Sequence, residues 1–294
     1  MPELPDVEVY CERLAALLRG EPLVRVEVRN PFVLRTVSPA IAEVEGRRVT
    51  SVRRIGKRIA IGLEDDLFVV LHLMIAGRLR WRPLPKTLGG KLVLAAFTFP
   101  KGTLYFTEAG ATRRASLHLA RGVAALAAFE RGGLEVFDVA TAAFAERLRA
   151  ERHTLKRALT DPKLFSGIGN AYSDEILHRA RLSPLVLTSQ LADDEIVRLF
   201  EATRSTLRDW TERLRNEVGE GFPEEVTAFR EGMAVHGRYG LPCPVCGTPV
   251  ARIRYASNET NYCPRCQTGG RLLADRALSR LLKQDWPRSI DEVD

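Results

Sequence analysis

Ten residues at the start of the chain, MPELPDVEVY, bring together a proline beside the initiator methionine and three acids, Glu3, Asp6 and Glu8. Removal of Met1 before so small a residue would leave Pro2 carrying the free α-amine. Such an amine has a pKa of about 7.7–8.0, so a useful fraction is unprotonated at neutral pH. A helix N-terminus lowers it further. It can attack a sugar carbon and form a Schiff base. Because proline is a secondary amine, the adduct is a cationic iminium, a good electron sink. Glu3 is near enough to move protons. A plainer reading of the same ten residues is a capped helix whose proline limits fraying.

The second chemical stretch is metal-binding. CPVC at 243–246 and CPRC at 263–266 are separated by sixteen residues. Two short turns that each present two thiolates are the pattern of a four-cysteine zinc site, with Cys243, Cys246, Cys263 and Cys266 as ligands. All four positions are filled by protein, so the zinc is structural. In comparable peptides such binding supplies about 10–16 kcal/mol of folding free energy. Residues 236–271 hold Arg238, Arg252, Arg254, Arg265 and Arg271 against the single acid Glu259. A basic hairpin suits phosphate contact, and it suits protein docking equally well.

Two further stretches carry weaker signals. GIGNAYSDEIL at 167–177 reads as a Gly-flanked turn between helices, with Asn170 as N-cap and Lys156, one helix back, adding charge for a bound phosphate. RRIGKRIAIGL at 53–63 places Gly56 and Lys57 at the tip of a β-hairpin.

These groups need a scaffold. Val7, Tyr10, Leu14, Leu17 and Leu18 recur at helical spacing, so 4–19 is expected to be an amphipathic helix with Pro5 in its first turn. From about 22 to 120, short runs such as RRVTSV, RIAIGL, LFVVLHL, KLVLAAFTF and TLYF predict an antiparallel sandwich or barrel. Residues 138–235 turn helical in HTLKRALTD, YSDEILHRA and the long DDEIVRLFEATRSTLRDWTERLRNE. GEGFPEEVTAFREGMAVHGRYG reads as a loop joining the helices to the cysteines, and the tail is expected to lose order beyond Asp285.

At 294 residues the chain is long enough for more than one domain, and its hydrophobic content of 45% is that of a globular protein. No apolar run reaches bilayer length, and the first ten residues lack a basic signal region. These features predict a soluble protein of the cytoplasm or nucleoid, monomeric by default. The net charge of +7 permits a polyanionic partner without requiring one. Four clustered cysteines in a chain without an export signal favour metal over disulfides, and Cys11 reads as a buried small residue.

Taken in order, PELPDVE, the GK hairpin, GIGNAYSDEIL and the CPVC…CPRC finger resemble the formamidopyrimidine-DNA glycosylase / endonuclease VIII family over residues 2 to about 270. The resemblance implies an α+β fold in which an N-terminal helix packs on an antiparallel β-sandwich. A helix–two-turn–helix domain and a zinc-finger hairpin follow, with DNA in the cleft between. It divides the chain into a catalytic domain over 1–130, a helical domain over 131–235, the finger over 236–272 and a tail over 273–294.

It also implies a base-excision-repair DNA glycosylase with AP-lyase activity on double-stranded DNA holding a damaged base or abasic site. The damaged base is extruded, the terminal proline attacks C1′, and the iminium permits β- and often δ-elimination. By motif position Pro2 resembles the nucleophile, Glu3 the general acid/base and Asp6 a supporting carboxylate. Lys57 and Asn170 resemble phosphate-binding groups.

This sequence departs from the family pattern in four places. Asp6 replaces a glutamate. Asn258 stands where the finger's arginine is expected, and Arg254 or Arg252 would have to substitute. HLMIAG at 72–77 puts Ile75 in the position of the wedge methionine. TEAGATRRA lacks the expected Phe, with Arg113 and Arg114 slightly further on. These departures leave two alternatives: an abasic-site lyase or altered-lesion glycosylase on the same scaffold, and a non-enzymatic DNA-binding zinc protein.

Overall fold

The computed structural model describes residues 1–294 except 111, 256–257, 275–280, 282–286 and 293–294. Its contacts divide the chain into two compact units, one of residues 1–131 and 210–227, the other of 132–209 and 228–294.

The first unit is a β-sandwich with a helix at its start. Helix α1 spans Leu4–Leu18 and buries Leu4, Val7, Tyr10, Cys11, Leu14 and Leu18, the apolar stripe its periodicity predicts. Strand β1 (Arg25–Val28) and a one-turn helix α2 (Ile41–Val44) lead into β2 (Val49–Ile55), β3 (Arg58–Leu63), β4 (Leu67–His72) and β5 (Gly77–Pro83). Strands β6 (Val93–Phe99), β7 (Gly102–Glu108) and β8 (Ser116–Arg121) complete two four-stranded antiparallel sheets. Their orders are β1-β6-β7-β5 and β2-β3-β4-β8. The apolar runs read from the sequence do not include GRLRWRP of β5 or SLHLAR of β8, whose alternating Arg78, Arg80, Arg82, Ser116 and His118 leave only two or three apolar residues in each.

The second sheet is covered on both faces, which explains the continuous apolar run of β4. Leu67, Val69 and Leu71 join Ile59, Ile61, Phe97, Phe106 and the α1 side chains in the main core. Phe68 and Val70 point the other way, into a small cluster with Ala60, Ala120 and Leu126 of helix α3 (Val123–Ala127). Strands buried on both faces lose the polar positions of a half-exposed strand. The segment expected to be a loop after residue 218 adds to this unit. Phe222 and Val226 pack on the main core, and Glu224 pairs with Arg80 and Arg82.

The second unit holds helices α4 (Thr141–Arg149), α5 (Leu155–Thr160) and α6 (Asn170–Arg179), and most of α7 (Asp193–Val218). Helix α4 is an addition to the helices expected from the sequence; its Phe144 lies 4.8 Å from Phe165 and 5.1 Å from Phe200, centroid to centroid. The finger is the antiparallel pair β9 (Ala251–Arg254) and β10 (Glu259–Tyr262), followed by α8 (Pro264–Thr268). Asp285 lies outside the described residues. Beyond it the tail is ordered in part: Leu272 donates to Arg288 O at 2.9 Å, and Ile290 to Gly270 O at 2.9 Å. No described helix is long and apolar enough to cross a membrane.

The two-turn segment between α5 and α6 is held by a neighbouring strand-like stretch. Leu134 donates to Leu164 O and accepts from Ser166 N. Gly133 makes this approach possible, since a Cβ there would lie 2.4 Å from Pro162 O and 2.9 Å from Phe165 C. Gly133→Ala is therefore expected to destabilise the protein by about 1–3 kcal/mol. Urea unfolding of the variant against wild type measures it.

Candidate active site and nucleic-acid interface

The start of α1 is built to hold charge. Pro2, Glu3 and Asp6 are all buried. Glu3 is the N-cap, and its backbone N–H donates to Asp6 Oδ2 at 2.9 Å, closing a capping box. Asp6 is one methylene shorter than glutamate and still completes this bond. Burial lowers the pKa of the terminal amine, which Met1 carries in this structure. Glu3 and Asp6 raise it in opposition, while Arg78 and Lys57 lower it further. The amine is thus set among two carboxylates and two cations.

The same surroundings show how Lys57 is positioned. Gly56 and Lys57 form the tip between β2 and β3, and Gly56 takes φ of +58°, a conformation that favours glycine. Arg54 links this tip to α1: its Nε donates to Glu8 Oε2 at 2.9 Å and its Nη1 to Gly56 O at 3.0 Å. Tyr10 ties α1 to β5 of the other sheet, its phenolic oxygen accepting from Leu79 N at 3.4 Å. Neither Arg54 nor Arg78 stands out in the sequence alone. Arg78 Nη1 caps the turn at 73–76 by donating to Ile75 O at 3.1 Å and Gly77 O at 2.7 Å. On that turn Ile75 is 64% exposed, an apolar side chain with nothing yet to cover it. Arg113 lies exposed in the β7–β8 loop, with Nη2 donating to Lys91 O at 2.8 Å.

In the second unit the expected roles shift. Gly169, not Asn170, is the N-cap of α6; Asn170 is the first helical residue. Its amide donates to Glu259 O at 2.9 Å, tying α6 to finger strand β10. Lys156 does not present its charge to a phosphate. Its side chain is 10% exposed and its Nζ lies 2.6 Å from Asp174 Oδ1 and 2.6 Å from Asn170 O. The apolar face of α5 draws it inside, and Asp174 compensates it there.

Asp174 and Glu175, within the quoted motif but without an assigned role, organise this unit. Asp174 Oδ2 also meets His236 Nδ1 at 2.8 Å and accepts from Asn261 N at 3.2 Å. Glu175 accepts backbone N–H bonds from Ala234, Val235 and His236 at 2.7–2.9 Å. Burial pushes the Glu175 carboxyl up, and those N–H groups pull it back down. Adjacent acids in a helix motif signal such a role only when the fold brings donors to both.

The finger fits its metal. Cys243, Cys246, Cys263 and Cys266 offer sulfur atoms within 4.8 Å of one another, with Cys246 and Cys263 at 3.4 Å and Cys243 and Cys266 at 4.0 Å. Four thiolates at zinc bond lengths stand about 3.8 Å apart around a tetrahedron. They are the ligand set of one structural Zn²⁺. His178 Nε2 lies 3.3 Å from Cys243 Sγ, so α6 also supports the ligand shell. At the hairpin end, Asn258 is exposed and its carbonyl accepts from Tyr255 N. Arg254 is exposed opposite Glu259, whereas Arg252 lies over the Tyr239 ring at 4.0 Å.

A β-sandwich with a terminal amine set among carboxylates, and a helical unit carrying a four-cysteine hairpin, are the parts expected of a helix–two-turn–helix DNA-processing enzyme. The comparisons with known proteins narrow this. The formamidopyrimidine-DNA glycosylase N-terminal domain matches residues 1–115, the H2TH domain of the same glycosylase matches 134–217, and the zinc finger found in FPG and IleRS matches 240–269. The formamidopyrimidine-DNA glycosylase of Thermus thermophilus is 36% identical over 283 residues, covering 92% of this chain and 100% of that protein. An uncharacterized formamidopyrimidine-DNA glycosylase-like protein of Mycobacterium tuberculosis is 45% identical over 151 residues, 51% of this chain and 94% of its own. The crystal structure of the MutM (Fpg) protein from Thermus thermophilus superposes with a TM-score of 0.76 at 35% identity, covering 90% of this chain and 98% of that one. Wild-type Lactococcus lactis Fpg, solved with DNA containing an oxidized pyrimidine, gives 0.79 at 25% identity over 91% of this chain and 100% of its own. The chain belongs to the formamidopyrimidine-DNA glycosylase family.

Two predictions test this geometry. Asp174→Ala leaves Lys156 buried and uncompensated and is expected to cost about 3–5 kcal/mol. Its unfolding should begin in the second unit, followed by amide hydrogen exchange. The other concerns His72, which burial and then the nearby Arg58 and Lys57 lower to a pKa of about 4. Its unfolded value is about 6.5, so the unfolded chain takes up the proton first as pH falls. The stability difference is absent above pH about 6.5, and stability is lost progressively towards pH about 4, by at most about 3 kcal/mol. His72→Gln should flatten that part of the stability–pH curve; equal slopes in both proteins would refute the assignment.

Proposed function

We propose that this chain is a base-excision-repair DNA glycosylase that also cleaves the strand at abasic sites. The observation that carries the reading is the half-buried terminal amine, carried here by Met1, in the field of Glu3, Asp6 and Lys57. Once Met1 is removed, Pro2 takes up the amine. Its nitrogen attacks C1′ of the damaged nucleotide and the base departs with the bonding electrons. Glu3 supplies and removes protons. The C1′–O4′ bond then opens with a proton delivered to O4′, which leaves an iminium that acidifies C2′; loss of that proton expels the 3′ phosphate in β-elimination, and a further elimination expels the 5′ phosphate. Lys57 would hold a phosphate beside the lesion. Ile75 and Arg113 would occupy the space the extruded base leaves, and Asn170, Arg254 and Asn258 would contact the backbone from the second unit. Zinc supports the finger and takes no part in the chemistry.

The substrate class follows from the relatives. The Lactococcus lactis protein is described with oxidized-pyrimidine DNA, and related structures hold Fapy-dG or abasic-site DNA. An oxidised or ring-opened base in a duplex is therefore the proposed target. A second reading, an abasic-site lyase or a glycosylase of altered lesion choice, draws on exposed Asn258. It offers a neutral contact where a charged one is expected, and charge-assisted bonds are roughly twice as strong.

Borohydride reduction of the zinc-loaded, Met-processed protein on an abasic duplex tests the chemistry. The expected result is a covalent adduct that maps to Pro2 and is lost when extra residues block the N-terminus. Glu3→Gln is expected to slow base release by about 10²–10⁴-fold. Duplex binding without any adduct would overturn the proposal in favour of a non-enzymatic DNA-binding zinc protein. Adduct formation without release of oxidised bases would favour the lyase reading.

A further inference from the structure

Three metal-ligating side chains outside the finger meet around the two ends of α5. Glu151 and His153 precede the helix, and Asp161 is its C-cap. Each offers one ligand atom, and the three atoms lie within 4.8 Å of one another. Among the described residues, the four cysteines are the other such group. None of the three stands out in the sequence, because a helix separates His153 from Asp161.

The backbone that carries them is held from outside. Thr188 is buried; its Oγ1 accepts from His153 N at 3.3 Å and donates to Glu151 O at 2.6 Å. Its own N–H donates to His153 O at 2.8 Å. At the far end of α5, Asp161 Oδ1 accepts from Lys163 N at 2.8 Å, which orients that carboxylate. Groups fixed in this way need little rearrangement to converge on a ligand.

The histidine decides what the ligand is. His153 Nδ1 lies 3.1 Å from Arg152 O, and Nε2 lies 2.6 Å from Glu151 Oε2. A carbonyl only accepts, so a neutral ring carries its proton on Nδ1 and turns the Nε2 lone pair towards the carboxylate. Two lone pairs face each other at that distance only with a cation between them. A proton there satisfies Glu151 and leaves the Asp161 carboxylate uncompensated. A divalent ion neutralises both. A carbonyl on the other ring nitrogen is also the usual outer partner of a metal-bound histidine. Ligands at zinc-like bond lengths stand about 3.4 Å apart around a tetrahedron, so Glu151 has to withdraw by about 1 Å. Its side chain is 46% exposed and free to do so, whereas His153 is 15% exposed.

We propose that Glu151, His153 and Asp161 form a second metal site, for a divalent first-row transition ion. An imidazole with two carboxylates suits Zn²⁺, Co²⁺ or Ni²⁺, whereas Mg²⁺ and Ca²⁺ call for oxygen ligands throughout. Three protein ligands leave coordination positions to water, unlike the closed cysteine site. The ion ties the entry of α5 to its exit. With six residues this helix is too short to sustain itself, and it leads directly into the two-turn segment before α6. The site rests on no part of the glycosylase reading.

Co²⁺ is the probe, because its visible spectrum reports its ligands. It is added to the full-length, zinc-loaded protein by equilibrium dialysis, and both metals are counted. One Co²⁺ per chain is expected beyond the zinc of the finger. Its visible bands should be the weak ones of nitrogen and oxygen ligands, without the intense thiolate band that exchange into the finger gives. Saturation is expected to raise the melting temperature by a few degrees. His153→Asn is expected to weaken Co²⁺ binding by about 100-fold or more, since loss of even an outer-shell partner costs about 10–100-fold. Asp161→Asn keeps the acceptor for Lys163 N and is expected to weaken binding by about tenfold or more. Glu151→Gln, at an exposed side chain, is expected to do the same and guards against a folding defect in the other variants. No Co²⁺ beyond the zinc, Co²⁺ seen only with the thiolate band, or binding unchanged in any of the three variants would overturn the proposal and leave Glu151 and His153 as a simple hydrogen-bonded pair.

Discussion

Asp174 is the constraint on which the second unit depends. Its side chain has no solvent exposure, and a buried carboxylate must be compensated or protonated. Here three separated parts of the chain meet that demand: Lys156 from α5, His236 from the segment before the finger, and Asn261 from β10. Glu175 beside it gathers three backbone donors from the same segment. None of these pieces can leave without stranding a charge or several N–H groups. The finger is therefore bound to α6 through polar chemistry as well as its metal. The Asn170 bond to Glu259 O at the start of α6 and the Gln267 bond to Leu182 O, just past its end, extend the same attachment.

The first unit solves a different problem, which is how to keep an amine and its carboxylates in fixed geometry at a chain end. Chain ends fray unless they are tied down. Here the tie is the capping box of Glu3 and Asp6 and the apolar stripe of α1 from Val7 to Leu18. Arg54 then sets the distance between α1 and the hairpin tip by holding Glu8 and Gly56 at once. Catalytic groups held on a helix and a tight hairpin are better pre-organised than groups on long loops.

How much of this could be read beforehand depended on whether the signal was local. Helix α1, the GK hairpin and the four cysteines were legible because periodicity, a two-residue turn and ligand spacing are properties of adjacent residues. Strands β5 and β8 were not, because Arg78, Arg80 and His118 occupy positions whose burial depends on which sheet face is covered. Asn170 and Lys156 were misread for a related reason. A polar residue at a helix start suggests a cap, and a lysine suggests surface charge, until a partner such as Glu259 or Asp174 comes from elsewhere in the chain. The segment after residue 218 was legible as irregular. That Phe222, Glu224 and Val226 belong with the sandwich was not, because those contacts join residues more than a hundred positions apart.

The net charge also changes meaning once the fold is known. A surplus of +7 looks like a diffuse attraction for polyanions. Many of its arginines are already occupied: Arg54 by Glu8, Arg82 by Glu224, Arg149 by Asp193, Arg215 by Glu12. Exposed pairs of this sort add little stability, but each removes a cation from the field that a phosphate would feel. What remains is local and lies on the arginines and lysines that no acid neutralises. Recognition of a phosphate depends on such uncompensated groups rather than on the total, so the chain's affinity for anions is set by where its acids are missing.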